Sequence, residues 1–160
     1  MRRAFADELL KQMWANPRIV LLTADVGYGM FDAIRDDFAG CGRFRNVGAA
    51  EQAMIGMGVG LALAGKIPFL YSITPFLLYR PYELIRNYID HENIPVRLVG
   101  GGRNKDYSHD GFTHHCVDAG RVLDGWPRIS QYWPETTAAA RQAAISMISY
   151  NRPSFVSLAR

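Results

Sequence analysis

Residues 44–73 read FRNVGAAEQAMIGMGVGLALAGKIPFLYSI. A short strand is expected at Phe44–Val47. Gly48-Ala49-Ala50 follows, and then residues 51–64 run apolar and small at helix length with no proline. Gly65 closes that helix in the usual C-terminal position. Ile67–Ile73 is a continuous apolar run, the pattern of a strand covered on both faces. Strands joined through a helix return in parallel, because only a crossover brings the chain back in the same direction. This stretch therefore predicts an α/β fold.

The alternation continues on both sides. Upstream, Phe5, Leu9 and Met13 make one helical stripe over residues 2–14, with Leu10 and Trp14 beside it, and Asn16-Pro17 stops it. Ile19–Thr23 is the next buried strand, and a helix is expected around 29–38. Downstream, Thr74-Pro75 supplies an N-cap and first helical residue, opening a segment to about Asp90 that Pro81 kinks or restarts. A strand follows at Val96–Val99. Residues 100–127 are loop-rich, a short strand is expected near Arg128–Tyr132, a helix runs from Pro134-Glu135-Thr136 to Tyr150, and Ser154–Ala159 is a last strand. The expected architecture is one domain over residues 1–160: a mostly parallel central sheet with helices on both faces. Ligands of such sheets gather beyond the carboxyl ends of the strands. Those loops are Ala24–Met30, Gly48–Glu51, Ile73–Tyr79 and Gly100–His115.

Composition sets the outer bounds. The chain has 160 residues, 49% hydrophobic and 21% charged, enough for a core and unlike a disordered chain. The net charge is +3, and no basic stripe is interleaved with aromatics, so nucleic acid is not an expected partner. No apolar stretch approaches the ~20 residues of a membrane span, and Asp7 and Glu8 stand where a signal peptide would be apolar. A cytoplasmic protein is expected. Cys41 and Cys116 make no disulfide framework.

Four constellations invite chemistry. Glu51 opens a helix that carries no further charge before Lys66. It reads either as a carboxylate favoured by the helix N-terminus or as a carboxyl in an apolar pocket, where burial would raise its pKa. Gly56, Gly58 and Gly60 point to close approach of another backbone, inside the domain or at a subunit interface. The loop Tyr107-Ser-His-Asp-Gly-Phe-Thr-His-His-Cys116 gathers three imidazoles and Asp110, suited to binding hydroxyls and moving protons. A zinc site from His109, His114 and Cys116 lacks the usual spacing, and Cys116 beside His115 is only a sequence neighbour. Gly27-Tyr28-Gly29 and Gly100-Gly101-Gly102 give neither a dinucleotide fingerprint nor a P-loop. Phe76 and Tyr79 lie at a strand exit and read as core or as a shelf for a planar ring.

Together these segments resemble the pyrimidine-binding (Pyr) domain of transketolase, a thiamine-diphosphate-dependent enzyme family. The resemblance runs over nearly the whole chain. It rests on Thr23-Ala-Asp25, Asn46-Val-Gly-Ala-Ala-Glu-Gln-Ala-Met54, Gly60-Leu-Ala-Leu-Ala-Gly65, Tyr71-Ser-Ile-Thr-Pro-Phe76, Arg80, Asp110-Gly-Phe-Thr-His114, Pro134 and Ser157-Leu-Ala-Arg160, in that order. It implies that Glu51 hydrogen-bonds ring nitrogen N1′ of the cofactor's aminopyrimidine, favouring the tautomer whose exocyclic nitrogen takes the thiazolium proton. Phe76 would stack on that ring with Tyr79 nearby, and Asp25 would line the pocket. Asp110 and His114 would bind sugar oxygens, and Arg160 with Arg2 or Arg3 a sugar phosphate, which guanidinium forks suit.

The departures carry expectations too. The family holds the diphosphate and its divalent metal through a Gly-Asp-Gly…Asn pattern, and no Gly-Asp-Gly occurs here. Diphosphate-binding and C-terminal domains are thus expected outside this chain, with Mg2+ or Ca2+ held by a partner subunit and no metal ligands here. A dimer of such pairs, a heterotetramer, is the natural closed assembly. Gly102 stands where the family has a histidine near the reacting carbonyl, and Gly29 where it has a phosphate-contacting serine. His109 is expected to reach toward the space at Gly102. The implied function is one subunit of a split transketolase moving a two-carbon ketol unit between sugars or sugar phosphates. Another thiamine-dependent synthase, a 2-oxo acid decarboxylase subunit and a catalytically silent regulatory subunit are the alternatives. Apolar surface is expected where the partner docks, with helix 51–64 part of it.

Overall fold

The computed structural model describes residues 1–160. In chain order its elements are α1 (Arg2–Ala15), β1 (Ile19–Thr23), α2 (Asp32–Phe38), β2 (Phe44–Asn46), α3 (Glu51–Leu63), β3 (Ile67–Ile73), α4 (Thr74–Tyr79) and α5 (Tyr82–Leu84), which runs into a π-helical stretch, Ile85–His91. Then come β4 (Arg97–Gly101), α6 (Ala119–Asp124), β5 (Ser130–Tyr132), α7 (Thr137–Ser149) and β6 (Ser154–Leu158). The strands lie in the order β2-β1-β3-β4-β6-β5, and every neighbouring pair is parallel. All six strand exits therefore share one edge, which gathers the loops after β1, β2, β3, β4 and β6.

The strand period of two divides the core. Leu21, Phe69, Tyr71, Val99 and Val156 face Phe5, Leu9 and Met13 of α1, Ile34 and Phe38 of α2, and Ala140, Ala144 and Met147 of α7. Val20, Leu22, Leu70, Leu98 and Phe155 face Met54 and Ile55 of α3, Leu77 and Leu78 of α4, Ile85, Ile89 and Leu123. Both faces of the sheet are covered, as continuous apolar strands require.

Of the three α3 glycines, only Gly58 is needed for internal packing. A Cβ there would come within 2.6 Å of Leu70, whereas Gly56 and Gly60 border open space. Pro81 restarts the helix after Tyr79, as the sequence predicts. Residues 100–127 contain α6, which the loop-rich composition hides. No helix is long and apolar enough to cross a membrane.

Arg97 lies in the middle of the sheet and is 1% exposed. Its Nε donates to the Met147 carbonyl at 2.9 Å and its Nη2 to the Tyr150 carbonyl at 3.2 Å, while Nη1 donates to the Pro95 carbonyl. One side chain thus ties β4 to the end of α7.

Candidate active site

Asn46, the last residue of β2, organises the approach to α3. Its Oδ1 accepts from the backbone N–H of Gly48 at 3.0 Å and of Asp25 at 2.9 Å, joining the loops after β1 and β2. Gly48 takes a φ of 77°, a conformation side chains disfavour, and turns the chain into the helix. Glu51 is consequently the first residue of α3, at the positive end of its dipole.

Both readings of Glu51 meet here in part. Its side chain is 2% exposed at the helix N-terminus, but its neighbours are polar rather than apolar. Ser72 Oγ, from the buried β3, donates to Oε1 at 3.0 Å. Arg80 Nη1 donates to Oε1 at 2.9 Å and to Oε2 at 2.8 Å. A buried carboxylate is tolerated because both oxygens are paired. Sequence reasoning gives neither Ser72 nor Arg80 a role. The available signals are a lone serine inside an apolar strand and the place of both residues among the stretches that carry the family resemblance.

From Glu51 a continuous strip of side chains crosses the strand exits. The Arg80 guanidinium lies 3.8 Å above the Phe76 ring. Phe76 meets the His114 ring edge-on at 4.8 Å between centroids. His114 lies 6.5 Å from the Tyr107 ring, and His109 lies 6.3 Å from it. Tyr107 accepts a 2.7 Å hydrogen bond from Arg2 and has the Arg160 guanidinium 5.6 Å from its ring centre. Arg2, Arg3, Arg160 and Tyr107 line a cavity of about 610 Å³ together with apolar residues and no carboxylate. Its field favours an anion.

Tyr107, not His109, fills the space at Gly102. A Cβ on Gly102, whose φ is 85°, would come 2.4 Å from the Tyr107 ring. The exposed His109 instead pairs its Nε2 with Asp110 Oδ2 at 3.2 Å. Tyr79 stands with Phe76 in the wall of a second cavity, and its hydroxyl donates to Asp118 at 2.6 Å. Burial and that bond push the Tyr79 phenol well above its ordinary range.

Asp25 sits apart from the strip. It holds a φ of 55°, accepts from the Tyr28 hydroxyl at 2.7 Å and from Asn46 Nδ2 at 3.1 Å, and those bonds lower its pKa. In this structure its contacts secure the loop after β1. Arg3 donates to the Gly29 carbonyl at 2.6 Å.

His109, His114 and Cys116 are not gathered into a metal-holding group. Burial, followed by the nearby Asp106 charge, pushes the buried Cys116 thiol up to about 11, which makes it a poor nucleophile at neutral pH. A thiol reagent at pH 8 is expected to titrate one cysteine quickly in the folded chain, the exposed Cys41. Cys116 should follow only on unfolding. Two equally fast thiols would contradict that assignment.

The arrangement is a buried acceptor, an aromatic face, an imidazole–carboxylate turn and a basic cavity, in that order. The profile of the family described as "Transketolase, pyrimidine binding domain" matches residues 1–160. A subunit of the apulose-4-phosphate transketolase of Actinobacillus succinogenes is 33% identical over 72% of this chain and 37% of its own length. The 6-deoxy-6-sulfo-D-fructose transketolase subunit SqwH of Clostridium sp. is 29% identical over 100% of the chain and 49% of its own length. The chain therefore spans half or less of these curated relatives. Among solved structures, a split-gene transketolase described as an inactive beta4 tetramer superposes with a TM-score of 0.83. It is 26% identical over 99% of this chain and 50% of the other.

Proposed function

Because the chain belongs to the transketolase pyrimidine-binding domain family, we propose that it is the pyrimidine-binding half of a split, thiamine-diphosphate-dependent ketol transferase. Its residues fit the cofactor's ring. Between Glu51 and Phe76 lies a flat slot that already accommodates a planar N–H donor, the Arg80 guanidinium. An aminopyrimidine has the same planarity and the same kind of polar edge. That slot is the observation that carries the reading.

When bound, thiamine diphosphate supplies a thiazolium carbon able to act as a carbanion and to take up a two-carbon ketol unit. The protein's tasks are orientation and proton control. Glu51 accepts the hydrogen bond of the ring nitrogen N1′ and fixes the tautomer. Ser72 holds the carboxylate in place, and Phe76 presents its ring face. His114 and Asp110 bind substrate oxygens, with His109 paired to Asp110. The cavity lined by Arg2, Arg3 and Arg160 takes an anionic group at the far end of the sugar. Tyr107 stands between the histidines and the arginines, where it touches the substrate's middle.

The diphosphate and its Mg2+ or Ca2+ belong in this reading to a partner subunit, in a cytoplasmic heterotetramer. Exposed residues Ala53, Gly56, Met57, Gly60 and Leu63 form one face of α3, on which such a partner can pack. The test is reconstitution with the diphosphate-domain chain. Ketol transfer by the mixture and by neither chain alone is expected. Full activity from this chain alone would refute the division of labour, as would loss of the cofactor requirement.

A further inference from the structure

Arg80 is the one residue that lines both cavities flanking the slot. On one side lies a cavity of about 520 Å³ walled by Phe76, Tyr79 and Asp118, and on the other a cavity of about 670 Å³ walled by Ala50, Glu51 and Gln52. Its guanidinium meets Phe76 and Glu51 at once, through the ring face and both carboxylate oxygens. Those are the two groups that an aminopyrimidine needs simultaneously. The side chain is 46% exposed, so its path outward is open.

We infer that Arg80 is the resident occupant of the pyrimidine slot and sets the affinity for the pyrimidine ring by having to leave it. The inference rests on the reading of Glu51 and Phe76 as ring-binding groups. A planar cation stacked on an aromatic face and bonded to a carboxylate is a good surrogate for a protonatable flat ring. It keeps a buried carboxylate paired while the slot holds no ligand. A ligand must displace it, so the apparent affinity falls by the fraction of molecules with the slot open. Asp118 is the one carboxylate lining the Phe76 cavity, with Oδ1 bonded to Tyr79. The displaced guanidinium can pair there with Asp118 Oδ2.

The test is titration of the full 160-residue chain with 4-amino-5-hydroxymethyl-2-methylpyrimidine, the ring half of the cofactor, followed by NMR and calorimetry. Arg80→Ala removes the occupant. Arg80→Lys keeps a charge for Glu51 but loses the flat stack, and so covers the case where the alanine variant folds poorly. Both should bind the probe more tightly, about 5- to 20-fold for alanine and less for lysine. Asp118→Asn should weaken binding about 2- to 3-fold by closing the slot. The wild-type Arg80 guanidinium signals should shift on saturation. Equal or weaker binding by both Arg80 variants, with wild type still binding, overturns the occupant role and leaves the ring-binding reading intact. Binding by no variant and no wild type overturns both.

Discussion

Replacing Glu51 by Gln should slow ketol transfer by the reconstituted pair about 10²- to 10⁴-fold, the range lost when a positioned proton-handling group is removed. Gln is nearly isosteric. Its amide oxygen can still accept from Ser72, so the polar contacts around α3 survive in part. What goes is the negative charge facing the ring nitrogen, and with it the bias toward the tautomer that takes the thiazolium proton. Arg80 loses its charged partner but is half exposed and can turn to water. The melting transition of the variant should therefore lie close to that of the parent. The check is kcat alongside thermal unfolding. Turnover within a few-fold of wild type would remove Glu51 from the mechanism, and a collapsed fold would make its role structural.

Arg97→Ala is expected to lower the unfolding free energy by about 3–5 kcal/mol, a large part of a typical domain's stability. The guanidinium serves three carbonyls, at Pro95 just before β4 and at Met147 and Tyr150 at the end of α7. Alanine takes a donor from each of them, although the Tyr150 carbonyl keeps the Arg152 N–H at 2.9 Å, and opens a cavity. Part of that loss is offset, because burial disfavours the cation and lowers its pKa to about 10. The folded state holds this proton less tightly than the unfolded one. Well below that pH both states keep it and its effect is constant. Between it and the ordinary arginine value, this group alone makes stability rise with pH. Denaturant unfolding of both proteins at neutral pH is the check. A variant as stable as the parent would show that water or a shift of α7 satisfies the carbonyls.

The sheet is legible in the sequence because four of its strands are mostly apolar and buried along nearly their whole length, which a sheet covered on both faces accommodates. The edges are harder to read. β5 is expected from Arg128 and begins at Ser130, since a three-residue edge strand has little hydrophobic pattern. The six-residue α6 lies hidden within residues 100–127, and nothing in Ile85–His91 announces a π-helical turn. In the site, Glu51 stands out as a lone charge ahead of a long apolar helix. Arg80 stands among the residues that carry the family resemblance but receives no role there, because nothing around it in the chain names its carboxylate partner. Its ring partner Phe76 is four residues back on the same helix, but its carboxylate partner Glu51 comes from another element, 29 residues back in the chain. Tyr107 is overshadowed by His109 because the loop's imidazoles draw the eye. Which ring rests against Gly102 is decided by the turn, not by residue type. Arg97 shows the same limit: its acceptors are main-chain carbonyls, which no residue name reveals.

The most direct measurement is the position of the aminopyrimidine in the reconstituted complex loaded with thiamine diphosphate. Glu51 should stand within hydrogen-bond reach of N1′, about 2.6–3.2 Å, with the ring lying over Phe76 where Arg80 now rests. A ring bound elsewhere, with Glu51 still clasped by Arg80, would contradict the assignment of this chain as the pyrimidine-binding half.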